Sequence, residues 1–452
     1  MSGKQRIAVV GAGIAGLAAA WLLARRHAVT LFEAAPRLGG HTHTVDVALD
    51  GVSHPVDTGF LVYNTRTYPN LTALFAHLGV DSVESEMSFS VSLELPALEW
   101  AGSSLATVFG QKGNLLRPAF WRMLGEILRF NRESTAWLAA HPGDDRPLGD
   151  FLAGGGYSRQ FADWYLLPMA AAIWSCPAGR MRDYPLATFV RFCHNHGLLQ
   201  ILDRPRWRTV AGGGRSYVER LAAGVGDIRL ATPVRRILRG ARPGHGLSVV
   251  TDEALLPFDQ VVLACHSDQA LALLGPSASA EERALLGAIR YAPNRAVLHT
   301  DAALLPRRRA LWSAWNYLSS GGDDSDARPV SVSYLINRLQ PLPFERPVVV
   351  TLNPLREPAA AQRIAEFEYA HPIFDAPAIA AQQALIARSG RAGLWFCGAW
   401  QGYGFHEDGL CSALRVANAL GCPAPWQGAG HGTAAGTSAS PVAPAEATAG
   451  AA

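Results

Sequence analysis

The stretch IAVVGAGIAGLAAAWLLARRHAVTLFEAAPRLGGHTHT, Ile7 to Thr44, decides the fold. An apolar run, Ile7 to Val10, enters Gly11-x-Gly13-x-x-Gly16. An Ala/Leu-rich helical segment follows to about Leu23, and a second apolar run, Val29 to Phe32, ends on Glu33. Strand, glycine turn, helix, strand and acid at this spacing form a βαβ dinucleotide-binding fingerprint. Gly11 permits the tight turn, Gly13 lets a pyrophosphate approach the backbone, and Gly16 lets helix and strand pack closely. The unpaired amides at the helix start, around Ile14 and Ala15, face the phosphates together with the positive end of the helix dipole. Glu33, with Ala34 beside it, is placed to accept from ribose hydroxyls.

The same uncharged run, Ile7 to Ala24, has the look of a signal peptide or a membrane span. Glycines at all three motif positions and the correct continuation to Glu33 argue against both. Just past the acid, Arg37-Leu38-Gly39-Gly40 brings a second backbone turn and a cation toward the same pyrophosphate, which favours a flavin over a nicotinamide dinucleotide. His41-Thr42-His43 follows. If Thr42 is extended, both imidazoles point the same way.

With 452 residues the chain has length for two domains or one composite domain with an ample core. Hydrophobic residues at 49% and charged residues at 17% describe a rather apolar globular protein. A net charge of +3 with no basic tract excludes nucleic acid as an expected partner. The 6 cysteines show neither CxxC nor Cys/His spacing, so reduced thiols and no metal site are expected. Lysine occurs only at Lys4 and Lys112.

Past the fingerprint, Val45 to Phe60 reads as a strand pair turning at Asp50-Gly51 and ending in Asp57-Thr58-Gly59-Phe60. Tyr68-Pro69-Asn70 precedes a helix from Leu71 to Leu78. From about Glu84 the pattern changes to alternating strands and then to aromatic-rich helical periodicity. There Phe120, Leu124, Ile127 and Leu128 fall on one helical face and Arg122, Glu126, Arg129 and Glu133 on another, as in a surface helix or a face that docks on a membrane. Half of the 12 tryptophans lie between Trp100 and Trp207, which predicts a large apolar pocket in this insert.

The three glycines within Arg206 to Leu221 read as a sharp turn with no clear strand leading in. Phe258 to Cys265 reads as one buried strand of a parallel sheet. Pro293 to Pro354 alternates as strands around an acidic loop, Gly321 to Asp326. The last strand, Gly393 to Gly398, runs into a glycine-rich turn and a helix from about Leu410. The free amides there suit the electron-rich edge of a flavin pyrimidine. Beyond Trp426 the composition predicts a disordered tail.

VVGAGIAGLAAA with Glu33, RLGG at Arg37 to Gly40, VDTG at Val56 to Gly59, TPVRRI at Thr232 to Ile237, FDQVVLAC at Phe258 to Cys265 and CGAWQGYGFHEDGL at Cys397 to Leu410 together resemble the flavin-containing amine oxidases and phytoene desaturases. GGHTHTV, VDTGFLVYNTRTYPNL and FCGAWQGYGFHEDGL look closer still to a bacterial subgroup described as NAD/FAD-binding proteins. Members of that subgroup are often encoded beside cyclopropane-fatty-acid-synthase-like methyltransferases. The resemblance implies an α/β fold, a Rossmann-type FAD-binding domain of the glutathione-reductase and amine-oxidase type with an inserted, discontinuous α+β substrate domain. The expected division is 1–83, 206–292 and 390–426 for FAD, 84–205 and 293–389 for substrate, and 427–452 for the tail.

By the same resemblance Val234 lies against the adenine through its backbone, Thr58 and Gly59 lie near the isoalloxazine, and Asp408, Gly409 and Leu410 lie near the flavin pyrimidine. Gly39, Gly40, His41, Thr42, Cys265 and Gly398 complete the expected cofactor contacts. Three departures stand out. His41 replaces a common arginine, and Gly398-Ala399 replaces Gly-Asp, so an acidic contact is lost or comes from Glu407 or Asp408. No lysine occupies a segment where these oxidases hold a water near flavin N5.

The expected chemistry is dehydrogenation or desaturation of an apolar substrate such as a lipid acyl chain, with FAD accepting a hydride. The acid/base candidates are His43, His194, His196, His406 and Glu407, and Tyr403, Phe405 and Trp400 are expected as aromatic walls. The alternatives are an amine oxidase, and a double-bond isomerase or non-catalytic flavin-binding protein. Cys397 and Cys411 could attach a flavin covalently, although core cysteine is the simpler reading. No second GxGxxG follows a later strand, so oxygen, a quinone or a protein is the expected electron acceptor. A cytoplasmic protein, with peripheral contact at the inner membrane left open, is the expected setting.

Overall fold

The computed structural model describes residues 3–141, 144, 146–200, 205–242, 245–320 and 330–427. The acidic loop read at 321–326 and positions 428–452 of the expected tail lie outside them. The fingerprint folds as β1 (Arg6–Val10), α1 (Ile14–Ala24) and β2 (Ala28–Phe32). Ile7, Val9, Leu17, Leu22 and Leu23 have no exposed surface, each burial stabilising by roughly 1.5–3 kcal/mol. The uncharged run is therefore a strand and a helix, each too short to span a bilayer. Among the described residues no helix is long and apolar enough to cross a membrane.

β1 pairs in parallel with β2 on one side and with strand Gln260–Leu263 on the other. Asp227–Arg229 and Leu394–Phe396 extend the sheet outward, giving a five-stranded parallel sheet with β1 at its centre. Apolar side chains on both faces explain the near-continuous hydrophobic strands. α1 packs on one face together with the last helix, His406–Ala419.

Phe258 to Cys265 is not one strand. Leu255–Phe258 pairs antiparallel with strand His245–Val250 in a separate three-stranded sheet, and Gln260–Leu263 belongs to the parallel sheet. The corner is Asp259, whose Oδ2 accepts the Arg6 amide at 2.8 Å while its own amide donates to the Arg6 carbonyl at 2.9 Å. Both elements are apolar, so composition alone hides the junction.

A seven-stranded mixed sheet carries the second unit. It combines Phe89–Leu93 and Leu98–Ala101, from before the triple-glycine turn, with Arg290–His299, Trp315–Ser319, Ser331–Leu335, Val349–Leu352 and Arg363–Ile373 from after it. The join is the parallel pairing of Trp315–Ser319 with Phe89–Leu93. A strand does lead into the triple glycine: Trp207–Val210 pairs with Tyr63–Asn64 and Ser82–Ser85.

Helix Pro118–Ala140 buries Phe120, Met123, Glu126, Phe130, Ser134 and Leu138. The apolar face expected from Phe120, Leu124, Ile127 and Leu128 is thus rotated, and Leu128 is 56% exposed. The reason is polar. Buried Glu126 receives both the amide and the hydroxyl of Ser158, and that hydroxyl in turn caps Phe161.

Candidate active site

Gly11, Gly13, Ile14 and Ala15 at the head of α1 open onto a cavity of about 690 Å³. Phe32, Glu33, Ala34, Gly39, Gly40, His41, Thr58, Gly59, Thr232, Val234, Cys265 and Gly398 continue the same wall. Gly39 donates its amide to the Ala12 carbonyl at 2.8 Å, docking the second glycine turn on the first. Glu33 accepts from the Ala12 amide at 2.7 Å and from the Ala35 amide at 2.9 Å, which fixes its carboxylate at the turn.

Gly16 does not line the cavity. A Cβ there would stand 1.8 Å from the Gly11 carbonyl oxygen, so this glycine serves the close approach of helix and strand. At Gly13 a Cβ would meet nothing within 4 Å, so the backbone faces open space where a pyrophosphate needs it. His41 adds a second sign of a missing group: its Nε2 is buried without a hydrogen-bond partner. The glycine turns, the amides of α1 and the carboxylate at the end of β2 fit FAD.

Several residues expected at the cofactor hold the scaffold together. Arg37 gives its guanidinium to the Leu38 and Thr42 carbonyls and does not line the cavity. Thr42 bonds the Tyr217 hydroxyl and lies 2.9 Å from His406 Nε2. Asp408, Gly409 and Leu410 are not among the residues that line the cavity. Asp408 accepts the Phe405 amide at 2.9 Å, capping its own helix, and burial pushes its carboxyl up to about 7. A Cβ on Gly409 would press on Ile14 at 2.9 Å.

His196, Tyr403 and His406 line the cavity, whereas His43, His194 and Glu407 do not. His41 and His43 both reach Tyr369, with ring centroids 5.1 Å apart for His41 and the hydroxyl 3.4 Å from His43 Nδ1, but His41 alone enters the lining. Glu407 is an anchor: its carboxylate accepts the Asn70 and Leu71 amides at 2.9 Å, satisfying donors at the start of helix Pro69–Leu78. His406 stacks on Phe60 at 3.6 Å, and burial pushes its imidazole down to about 3. His196 stacks on Phe192 at 4.0 Å, with Nδ1 3.0 Å from the Phe192 carbonyl. Only Nδ1–H can serve that carbonyl, so Nε2 keeps its lone pair.

Among the polar side chains at the cavity that belong to no motif are His266, Tyr291, Tyr369 and His371. His371 lies 5.4 Å from His41, and burial pushes it down to about 4. Tyr369 holds its hydroxyl 2.9 Å from Thr58 Oγ1. Both come from strand Arg363–Ile373, which periodicity alone does not distinguish from an ordinary edge strand. Cys265 is the cysteine in the lining; Cys397 and Cys411 are free thiols outside it. Among the described residues no cluster of His, Cys, Asp and Glu could hold a metal ion.

A parallel dinucleotide sheet whose glycine turn and helix start open onto an aromatic-walled cavity defines an FAD-dependent oxidoreductase. Residues 14–335 match the family described as flavin containing amine oxidoreductase, and the chain belongs to that family. Among curated proteins it is similar to the carotenoid phi-ring synthase of Streptomyces griseus, 29% identical over 320 residues, which is 64% of this chain and 58% of that protein. The chain therefore spans less than two thirds of that relative's length.

Among solved structures it resembles the CLA-producing fatty acid isomerase from P. acnes, with a TM-score of 0.64 and 16% identity over 93% of this chain and 99% of that one. It also resembles cyclohexylamine oxidase from Brevibacterium oxydans, with a TM-score of 0.61 and 16% identity over 92% of this chain and 100% of that one. At these identities the likeness is one of fold.

Proposed function

We propose that this protein dehydrogenates or desaturates an apolar substrate of the lipid acyl-chain type. The observation that carries the reading is the cavity wall away from the glycine turn, where Met87, Ile173, Phe192, Leu198, Trp315 and Leu352 are all apolar. The lining contains no lysine or arginine, and its one carboxylate, Glu33, sits at the turn. No carboxylate is left on the substrate side to neutralise an ammonium, whereas an acyl chain loses nothing polar on entering.

Bound FAD supplies the acceptance of a hydride from an activated C–H. The chain's own residues exclude water and present one packed aromatic wall to the substrate, in which Phe192 stacks on Phe405 at 5.1 Å and meets Tyr403 at 5.7 Å. His196 offers the Nε2 lone pair to the proton that leaves with the hydride.

The test is anaerobic titration of the purified holoprotein with branched or unsaturated acyl lipids, followed by absorbance. Bleaching of the oxidised flavin band is the expected result. An unchanged spectrum while the lipid's double bond moves would replace the reading with isomerisation. Hydrogen peroxide release with an amine, and none with lipid, would replace it with amine oxidation.

A further inference from the structure

We propose that residues 95–122, with the arginine turn at 307–309, dock this protein on the surface of an anionic phospholipid bilayer. Ten large apolar side chains among the described residues are more than a third exposed, and five of them fall between Leu95 and Trp121. Leu105 is 79% exposed, Leu116 87% and Leu95 68%. Scattered exposed leucines are ordinary, but a concentration of this kind marks a surface meant to be covered.

The segments that carry them form one surface. Gln111 accepts the Glu99 amide at 2.6 Å and donates to the Ala97 carbonyl at 3.1 Å, tying the loop to the turn that holds Leu95. Trp121 donates Nε1 to the Leu115 carbonyl at 3.0 Å and lies 4.9 Å from the Phe109 ring, so the indole is fixed while half exposed. The Arg307 amide donates to Glu99 Oε1 at 2.7 Å, which brings the arginine turn alongside.

Charge selects the occupant. Between residues 95 and 125 the sole carboxylate is Glu99, which is buried and paired with Arg308. Of the cations in these segments Arg308 pairs with Glu99 and Arg122 with Glu126, so Lys112, Arg117, Arg307 and Arg309 carry the positive excess, against Glu94 beside Leu95. Leucines and a fixed tryptophan that enter the acyl boundary, on segments whose charge excess is positive, match an anionic membrane surface. A membrane-spanning segment is not required.

Co-sedimentation of the flavin-loaded protein tests this. The vesicles are phosphatidylcholine alone and phosphatidylcholine mixed three to one with phosphatidylglycerol. The expected result is pelleting with the mixed vesicles that weakens with added salt. Leu116→Glu should cut affinity roughly tenfold or more, and Lys112→Gln and Arg307→Gln about fivefold each. Leu355→Glu, an exposed apolar position outside the patch, should change nothing.

Flavin absorbance and melting temperature confirm that each variant is folded. Absence of pelleting with the mixed vesicles would overturn the proposal. So would equal pelleting of Leu116→Glu, or loss of pelleting in Leu355→Glu. A dimer in light scattering that Leu116→Glu splits, without vesicle binding, would assign the patch to a second copy of the chain instead.

Discussion

Asn294 donates its side-chain amide to Nδ1 of His371 at 3.0 Å, so the ring proton of His371 resides on Nε2, the nitrogen left for the cavity. The direction of that bond is set one residue further back. Asn353 donates Nδ2 to the Asn294 side-chain oxygen at 2.8 Å, and its own oxygen accepts the Arg295 amide at 3.0 Å. The backbone amide thus orients Asn353, Asn353 orients Asn294, and Asn294 orients His371. At the cavity His371 is a donor and His196 an acceptor, although both are neutral imidazoles.

Asn294→Leu removes the middle of this relay. It leaves the Asn353 amide without one acceptor and lets His371 change tautomer. The expected cost is about 1–3 kcal/mol in urea denaturation of the holoprotein. Substrate-dependent flavin reduction should slow as well. Unchanged denaturation and unchanged reduction would show that the relay has no role.

The two glycines Gly13 and Gly16 should fail in different ways. Gly13 has φ −72° and open space beside it, so Gly13→Leu fits the fold but places its side chain where the pyrophosphate must come. The variant should be folded, melt near the wild-type temperature of the flavin-free protein, and purify colourless. Gly16→Ala drives its Cβ into the Gly11 carbonyl and should lower the yield of folded protein itself. Far-ultraviolet circular dichroism and the ratio of flavin to protein absorbance separate the two outcomes.

Asp57 is the buried carboxylate on which the two units meet. It accepts from Thr44 Oγ1 at 2.5 Å, from the Gly214 amide at 3.0 Å and from Gln340 Nε2 at 2.7 Å. Gln340 cannot turn its amide to suit an asparagine, because its oxygen already accepts the Asp57 amide at 3.0 Å. Gly213, at φ +90°, brings the triple-glycine turn close enough for this contact. Asp57→Asn sets a donor against donors in a buried site and should cost about 3 kcal/mol. Denaturant titration of the holoprotein checks it, and a loss within error of zero would contradict the network.

Much of the dinucleotide corner is legible in the sequence because its requirements are local. A turn, a close approach and a carboxylate at the end of β2 each demand a residue type at a fixed spacing. The substrate side is not local. Tyr369 and His371 reach the cavity because Arg363–Ile373 pairs with Arg290–His299, more than seventy positions earlier, and no periodicity encodes that partnership. Glu407 illustrates the opposite error. A carboxylate beside an expected flavin edge suggests chemistry, but its partners are the backbone amides of a helix start that only tertiary packing brings near. Glu126 misleads in the same way, since a buried carboxylate disguises itself as a solvent-facing one until Ser158 is seen beneath it.

The buried imidazoles make stability depend on pH in a defined direction. Burial depresses seven histidines: His41, His43, His196, His266, His299, His371 and His406. Each binds a proton more readily once the chain unfolds, so the fold is fully favoured above the unfolded value near ~6.5 and loses ground as pH falls toward the folded values. Those folded values are about 4 for His43, His196 and His371. Asp57 and Asp408, raised to about 6 and about 7, oppose this, because folding favours their protonated forms as pH falls. Glu407 is raised in the same sense. Seven depressed imidazoles outweigh three raised carboxyls. Calorimetric melting of the holoprotein should therefore show a falling transition temperature between pH ~6.5 and ~4. A flat or rising transition across that interval would mean that the buried histidines gain compensating partners when the cofactor is bound.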